Sequence, residues 1–243
     1  MNIEEKEKYY VAQTPKLMKN FDKASKFMEI VLKQSFNESK TENLIINARN
    51  EYVKLIPQLP YIGGRTNMHD FNLIGSAWML ALIRSLEKED LGVRDIGKIL
   101  YDLFEEYFNS MSGFMKWLFR RSFFAKTGIR KWRYHAEKSQ DRVYPDDWVF
   151  EYVEGDGKTF DFGFNYTECG IYKFYKQQGA EKYIPYMCLG DYPMFRAMAI
   201  GMKRTQTIGN GGKYCDFRFK KGDITLEGWP PDNLEEFNLL KKY

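Results

Sequence analysis

The chain is predicted to adopt an α+β fold, with an N-terminal helical layer packed on a small antiparallel sheet made of C-terminal hairpins. Two observations predict it. Apolar residues recur at helical spacing through the first half. After Tyr144-Pro145-Asp146-Asp147 the pattern alternates with period two and is broken by glycine-rich turns. With 243 residues, 44% hydrophobic and 29% charged, the chain suits a single globular domain able to bury a sizeable core. It divides into a mainly helical part (1–140), a part holding the hairpins and a site-bearing helix (141–225), and a C-terminal tail (226–243).

The helical elements follow in order. Leu17, Phe21, Ala24, Met28, Val31 and Leu32 predict a helix from Thr14 to Phe36, with Thr14 as N-cap and Pro15 at the first helical position. Leu44, Ile45, Ala48, Tyr52 and Leu55 predict a second, from Glu42 to Ile56, ended by Pro57 and Pro60. The linker Pro60–Asn67 contains Gly63-Gly64-Arg65. It reads first as an interhelical turn and second as an anion-holding loop. A long helix is expected from Asp70 to Lys88, burying Phe71, Ile74, Trp78, Leu82 and Leu86, and another from Val93 through Phe108. His69 precedes the long helix, where capping or packing outweighs a general-base role. Residues 114–133 mix aromatics with seven basic side chains and no acid. A buried aromatic face with a solvated basic face is the leading reading, and contact with a membrane surface ranks below it.

The strands come next. Trp148–Val153 and Phe160–Tyr166 flank the turn Glu154–Lys158, and the second strand runs into Cys169. A helix is expected from Gly170 to Gln178, stopped by Gly179. A final hairpin pairs Met198–Ile208 with Tyr214–Phe219. If its loop is odd, Arg204, Asp216 and Arg218 share one face, and Thr205, Thr207 and Cys215 share the other with Phe217 and Phe219. The tail from Leu234 to Tyr243 reads as a short helix.

Composition narrows the function. A net charge of +4 is too small to argue for nucleic-acid binding. No apolar run approaches the ~20 residues of a membrane span, and Met1-Asn2-Ile3-Glu4-Glu5-Lys6 lacks the regions of a signal peptide. A cytoplasmic location is therefore expected. Three cysteines cannot all pair within one chain, and in a reducing compartment they are thiols, metal ligands or catalysts. Aromatics at 17% suit an aromatic-lined pocket.

All three cysteines lie between Asn165 and Phe219, among reactive polar residues and glycines. Cys169 falls at a strand-to-helix junction, where a helix dipole and free amides favour thiolate, so it is the leading nucleophile. A buried inert cysteine is the competing reading. Cys169, Cys188, Asp191 and Cys215 also make an acceptable zinc donor set, although their spacings are long and no C-x-x-C pair is present.

Several motifs together carry a family resemblance. They are Pro60-x-Ile62-Gly63-Gly64, Tyr144-Pro145-Asp146-Asp147-Trp148, Thr167-Glu168-Cys169-Gly170, Cys188-x-x-Asp191, Arg204-Thr205-x-Thr207-Ile208 and Gly211-Gly212-x-Tyr214-Cys215-Asp216-Phe217-Arg218. The combination resembles the L-2-amino-thiazoline-4-carboxylic acid hydrolase family from about Leu44 to Lys220. The resemblance implies hydrolytic opening of a small cyclic amidine-type ring on a carboxylate substrate. It brings Cys169, Cys188, Asp191, Arg204, Thr205, Thr207, Cys215, Asp216 and Arg218 to the site. From it we expect Cys169, Asp191, Cys215 and Asp216 to carry the chemistry, and Arg204, Thr205, Thr207 and Arg218 to hold the substrate. No cofactor is expected, with zinc as the alternative. A non-enzymatic ligand- or metal-binding sensor using the same cysteines is the competing class.

Overall fold

The computed structural model describes residue 5 and residues 8–237. Helix α1 (Thr14–Leu32) continues a short 3-10 turn at Val11–Gln13, so Thr14 is not its cap. Its hydroxyl instead donates back to the Val11 carbonyl at 2.7 Å. Helix α2 (Glu38–Leu55) begins four residues earlier than its apolar spacing suggests, because Asn37 Oδ1 accepts from the Lys40 amide at 2.9 Å. Helices α3 (Asp70–Leu86) and α4 (Val93–Ser110) complete the layer. Leu73, Ala77, Leu80, Ala81, Leu82, Ile83 and Leu86 are fully buried, so α3 is enclosed on most sides, packed on α2, α4 and the helix at Gly170–Gln177. Phe71 departs from its expected burial and is exposed.

The double glycine serves the turn. Gly64 has φ +57°, and a Cβ there would stand 2.3 Å from the Tyr9 ring. The Arg65 amide donates to the Tyr9 hydroxyl at 3.1 Å. Asn67 then ties this turn to the sheet by donating to Ile62 O at 2.6 Å and Asp147 Oδ2 at 2.5 Å.

Strands β1 (Val149–Glu154), β2 (Phe162–Glu168), β3 (Ile200–Lys203) and β4 (Cys215–Lys221) form one antiparallel sheet in the order β1-β2-β4-β3. The register sets Tyr166 opposite Cys215, Phe164 opposite Phe217 and Phe162 opposite Phe219. Period-two alternation gives one face to these six side chains and the other to Asn165, Asp216 and Arg218. Helices α5 (Gly113–Phe124) and α6 (Lys126–Ser139) cover the aromatic face. The Phe123 ring centroid is 4.9 Å from that of Phe219, and Trp132 is 5.2 Å from Phe164. The basic aromatic segment is thus two helices broken at Ala125, whose inner aromatics roof the sheet. Phe114, Met115, Trp117 and Leu118 stay exposed on the outer side. Among the described residues, no helix is long and apolar enough to cross a membrane.

The last hairpin is shorter than its alternation suggests. The chain leaves the sheet after Lys203, because Arg204 turns inward and Thr207 caps a 3-10 turn at Ile208–Asn210. Helices α7 (Gly170–Gln177), α8 (Ile184–Cys188) and α9 (Asp191–Ala197) bridge the sheet to the helical layer. The tail returns across α4: Gly228 N donates to Tyr101 Oη at 3.1 Å, and Asp232 pairs with Arg94. Pro231–Asn233 is a 3-10 turn and Leu234 is extended, so the expected helix does not start at Leu234. Its stretch from residue 238 onward lies outside the described residues.

Candidate functional site

Between the sheet, its aromatic roof and helices α7–α9 lies a cavity of about 360 Å³. Cys169, Cys188, Cys215, Asp191 and Arg204 all line it, with Trp148, Tyr166, Phe164 and Phe217 among the surrounding rings. The three thiols are free.

Each reaches the cavity from a different local structure. Cys169 occupies the N-cap position of α7 with extended backbone, φ −127° and ψ 119°. Gly170 is needed beside it, since a Cβ there would meet the Trp148 ring at 2.5 Å. Cys188 ends α8, and Asp191 opens α9 three residues later. Cys215 starts β4, and its sulfur accepts from the Ile208 amide at 3.3 Å.

Arg204 is the electrostatic centre. Its side chain is 1% exposed and lies between rings, with the guanidinium carbon 4.7 Å from the Phe217 centroid and 5.5 Å from that of Tyr192. Nε and Nη2 grip the fully buried Glu236 in bidentate fashion, the Nη2–Oε1 distance being 2.7 Å. Nη1 donates to Asp191 Oδ2 at 2.6 Å, and Nη2 also donates to the Cys188 carbonyl at 2.9 Å. Asp191 retains 31% side-chain exposure, and among the described residues nothing donates to its Oδ1. Burial pushes the Asp191 pKa up, and the neighbouring Arg204 only partly opposes this. With Asp191 ionised, one arginine faces two carboxylates, so the cluster carries an excess negative charge.

The thiols depart from the expected thiolate. Burial pushes Cys169 up to about 12, and neighbouring Cys188 adds to this. The amides of Ile171 and Tyr172 lower it, but by less than burial raises it. Burial likewise pushes Cys215 up to about 12 and Cys188 higher still. Desolvation outweighs the helix start here, because α7 is only eight residues long and its first turn faces an apolar wall. Moving a thiol from about 9 to about 12 cuts its thiolate fraction at neutral pH about a thousandfold. Iodoacetamide should therefore alkylate the native cysteines far more slowly than denatured ones, with a rate still climbing tenfold per pH unit above pH 9. A plateau near pH 9 would contradict this.

Other candidates lie elsewhere. The Asp216 carboxylate accepts from Thr205 N at 2.9 Å, Thr205 Oγ1 at 2.6 Å and Gln206 N at 2.8 Å, which staples the loop after β3. Thr207 is buried and accepts from Asn210 N at 3.1 Å. Arg218 donates to Phe217 O at 2.8 Å and lies over Phe160 on the far face of the sheet. None of these four lines the cavity. The odd-loop sorting is thus corrected at two positions: Arg204 joins Cys215 and Phe217, while Thr205 joins Asp216. Among the described residues, no three His, Cys, Asp or Glu side chains are grouped so as to hold a metal ion. Cys169, Cys188, Asp191 and Cys215 therefore share a cavity without forming the cluster that zinc would require.

One participant escapes a reading of the sequence, and a second takes the packing place expected of it. Glu236 sits in the tail expected to be a short helix, and nothing in its spacing signals Arg204. His69 lines the cavity, stacked on Trp148 at 4.6 Å, and its Nε2 has no hydrogen-bond partner among the described residues. Burial pushes its pKa down to about 3, so the imidazole is neutral. That fits packing better than a cationic role.

A family model described as L-2-amino-thiazoline-4-carboxylic acid hydrolase matches residues 72–219, which include Cys169, Cys188, Asp191, Arg204 and Cys215. No curated protein and no solved structure matches the chain.

Proposed function

The chain belongs to the L-2-amino-thiazoline-4-carboxylic acid hydrolase family, and on that premise we propose that its cavity hydrolyses a cyclic amidine by covalent catalysis at Cys169. The observation that carries this reading is the free oxygen of Asp191. It belongs to a carboxylate already paired with Arg204, in a cavity that also holds the Cys169 thiol.

The excess negative charge of the Arg204–Glu236–Asp191 cluster complements a protonated amidine. With Arg204 engaged by two carboxylates, the group that the site reads is the amidine rather than a carboxylate. His69 Nε2 offers a further polar contact. Bound cation also favours thiolate formation, offsetting the burial that holds Cys169 protonated.

The reaction is then written in two halves. The Cys169 sulfur bonds to the amidine carbon as its proton passes to Asp191, and the C=N pair moves to nitrogen. Collapse breaks the ring carbon–sulfur bond, and Asp191 returns the proton to the departing sulfur. Water next attacks the same carbon, giving up a proton to Asp191. The carbon–Cys169 bond then breaks, Asp191 returns that proton to the Cys169 sulfur, and the remaining hydroxyl proton leaves to solvent as the carbonyl forms. The net change is addition of water, and the carbon leaves as the carbonyl of an N-carbamoyl product.

Purified protein should convert L-2-amino-thiazoline-4-carboxylic acid to N-carbamoyl-cysteine. Asp191→Asn should lower kcat/KM by about 10²- to 10⁴-fold. Because the base must be ionised, activity falls as pH drops through the Asp191 pKa. That acid limb should lie above the usual aspartate range and vanish in the variant. A folded protein that turns over no 2-aminothiazoline would overturn the proposal.

A further inference from the structure

We propose that the substrate carries an apolar substituent, received by a second compartment that adjoins the cavity at Asp191. This inference rests on the cyclic-amidine reading and extends it to the rest of the molecule bound.

The compartment measures about 200 Å³ and lies among α1, α3 and α4. Phe27, Met28, Trp78, Phe104, Tyr107 and Phe108 are among its walls. Asn72, Ile171, Met187, Asp191 and Met194 line both spaces, so the two adjoin along one shared partition. Asp191 is the only ionisable carboxylate on that partition, and the Ser76 hydroxyl is already spent on the Leu73 carbonyl at 2.7 Å. Beyond Asp191 no charged side chain lines the compartment. Its other polar groups are those of Asn72, Trp78 and Tyr107 against a mainly apolar wall, so its affinity is chiefly for hydrocarbon. Two methionines form part of the partition, and their unbranched side chains adapt to different chain shapes. A ring held by its amidine on Asp191 therefore projects an adjacent substituent toward this space. A small ring with a single carboxyl group would leave it unfilled.

Gly75 gives a clean test. It lines the compartment, and a Cβ added there meets nothing within 4 Å. Gly75→Leu therefore fills the space from a helical position, and Gly75→Ala fills less of it. The probes are acetamidine, butanamidine and hexanamidine, which keep the cationic head while lengthening the tail. Their affinities are read by calorimetry on wild-type protein and on each variant. In the wild type, affinity should rise about fourfold per methylene. Gly75→Leu should flatten that rise, leaving hexanamidine at least tenfold weaker, with Gly75→Ala between. Asp191→Asn should weaken all three probes by a similar factor and keep the slope. A flat series in the wild type, or an unchanged slope in Gly75→Leu, overturns the apolar compartment. A retained slope with no effect of Asp191→Asn upholds the compartment and overturns the amidine reading instead.

Discussion

Cys169→Ser protein should fold normally and turn over substrate at least about 10³-fold more slowly than wild type. The substitution is nearly isosteric, and a serine hydroxyl at the start of α7 accepts from the first-turn amides at least as well as the thiol. What it removes is nucleophilicity. A serine hydroxyl has a far higher pKa than a thiol already pushed up to about 12, so the approach of a cationic substrate cannot bring it into the reactive range. Cys188→Ala and Cys215→Ala are the controls. Cys188 ends α8 with its carbonyl held by Arg204, and Cys215 anchors the Ile208 amide, so both should act mainly through packing. Steady-state rates with circular dichroism on the three variants separate these roles. A tenfold or smaller loss in Cys169→Ser would leave water activated by Asp191 as the nucleophile.

Glu236→Ala should cost about 3–5 kcal/mol of stability, because it leaves Arg204 buried with only Asp191 to pair. In a chain of this size that corresponds to a fall in melting temperature on the order of 10 °C. The double substitution Arg204→Met with Glu236→Leu should recover most of the loss, since the charge and its partner leave together. It should not recover activity, because Asp191 then loses the Arg204 contact that orients it. Urea denaturation of the single and double variants measures the coupling. Equal destabilisation in both would mean that the tail packs over Arg204 without needing the ion pair.

The fold was legible where one pattern decides it. The apolar stripes of α1 to α4 show helices directly, and alternation in Phe162–Tyr166 and Cys215–Phe219 gives both strand and face. Boundaries failed where a single polar contact rules them. Asn37 starts α2 early, and Thr207 ends the run after Lys203 by capping a turn. The candidate site was partly legible for the same reason. Cys169, Cys188, Asp191, Arg204 and Cys215 fall within one sequence stretch, and the structure brings them to one cavity. Asp216, Thr205 and Arg218 share that stretch but are drawn to loop and backbone partners, which spacing alone does not distinguish. Glu236 was invisible because its partner lies 32 residues away and no local motif links the two. The thiol state departs from the expected thiolate because local position speaks of the helix dipole, whereas the burial of Cys169 comes from packing against the core of the helical layer, much of it far upstream.

The most direct measurement is a structure of the Cys169→Ser protein with L-2-amino-thiazoline-4-carboxylic acid bound. The ring should sit in the cavity with an amidine nitrogen on the free oxygen of Asp191 and its amidine carbon about 3–3.5 Å from the residue 169 oxygen. A ring seated outside the cavity, or one whose carboxylate displaces Glu236 from Arg204, would contradict the account.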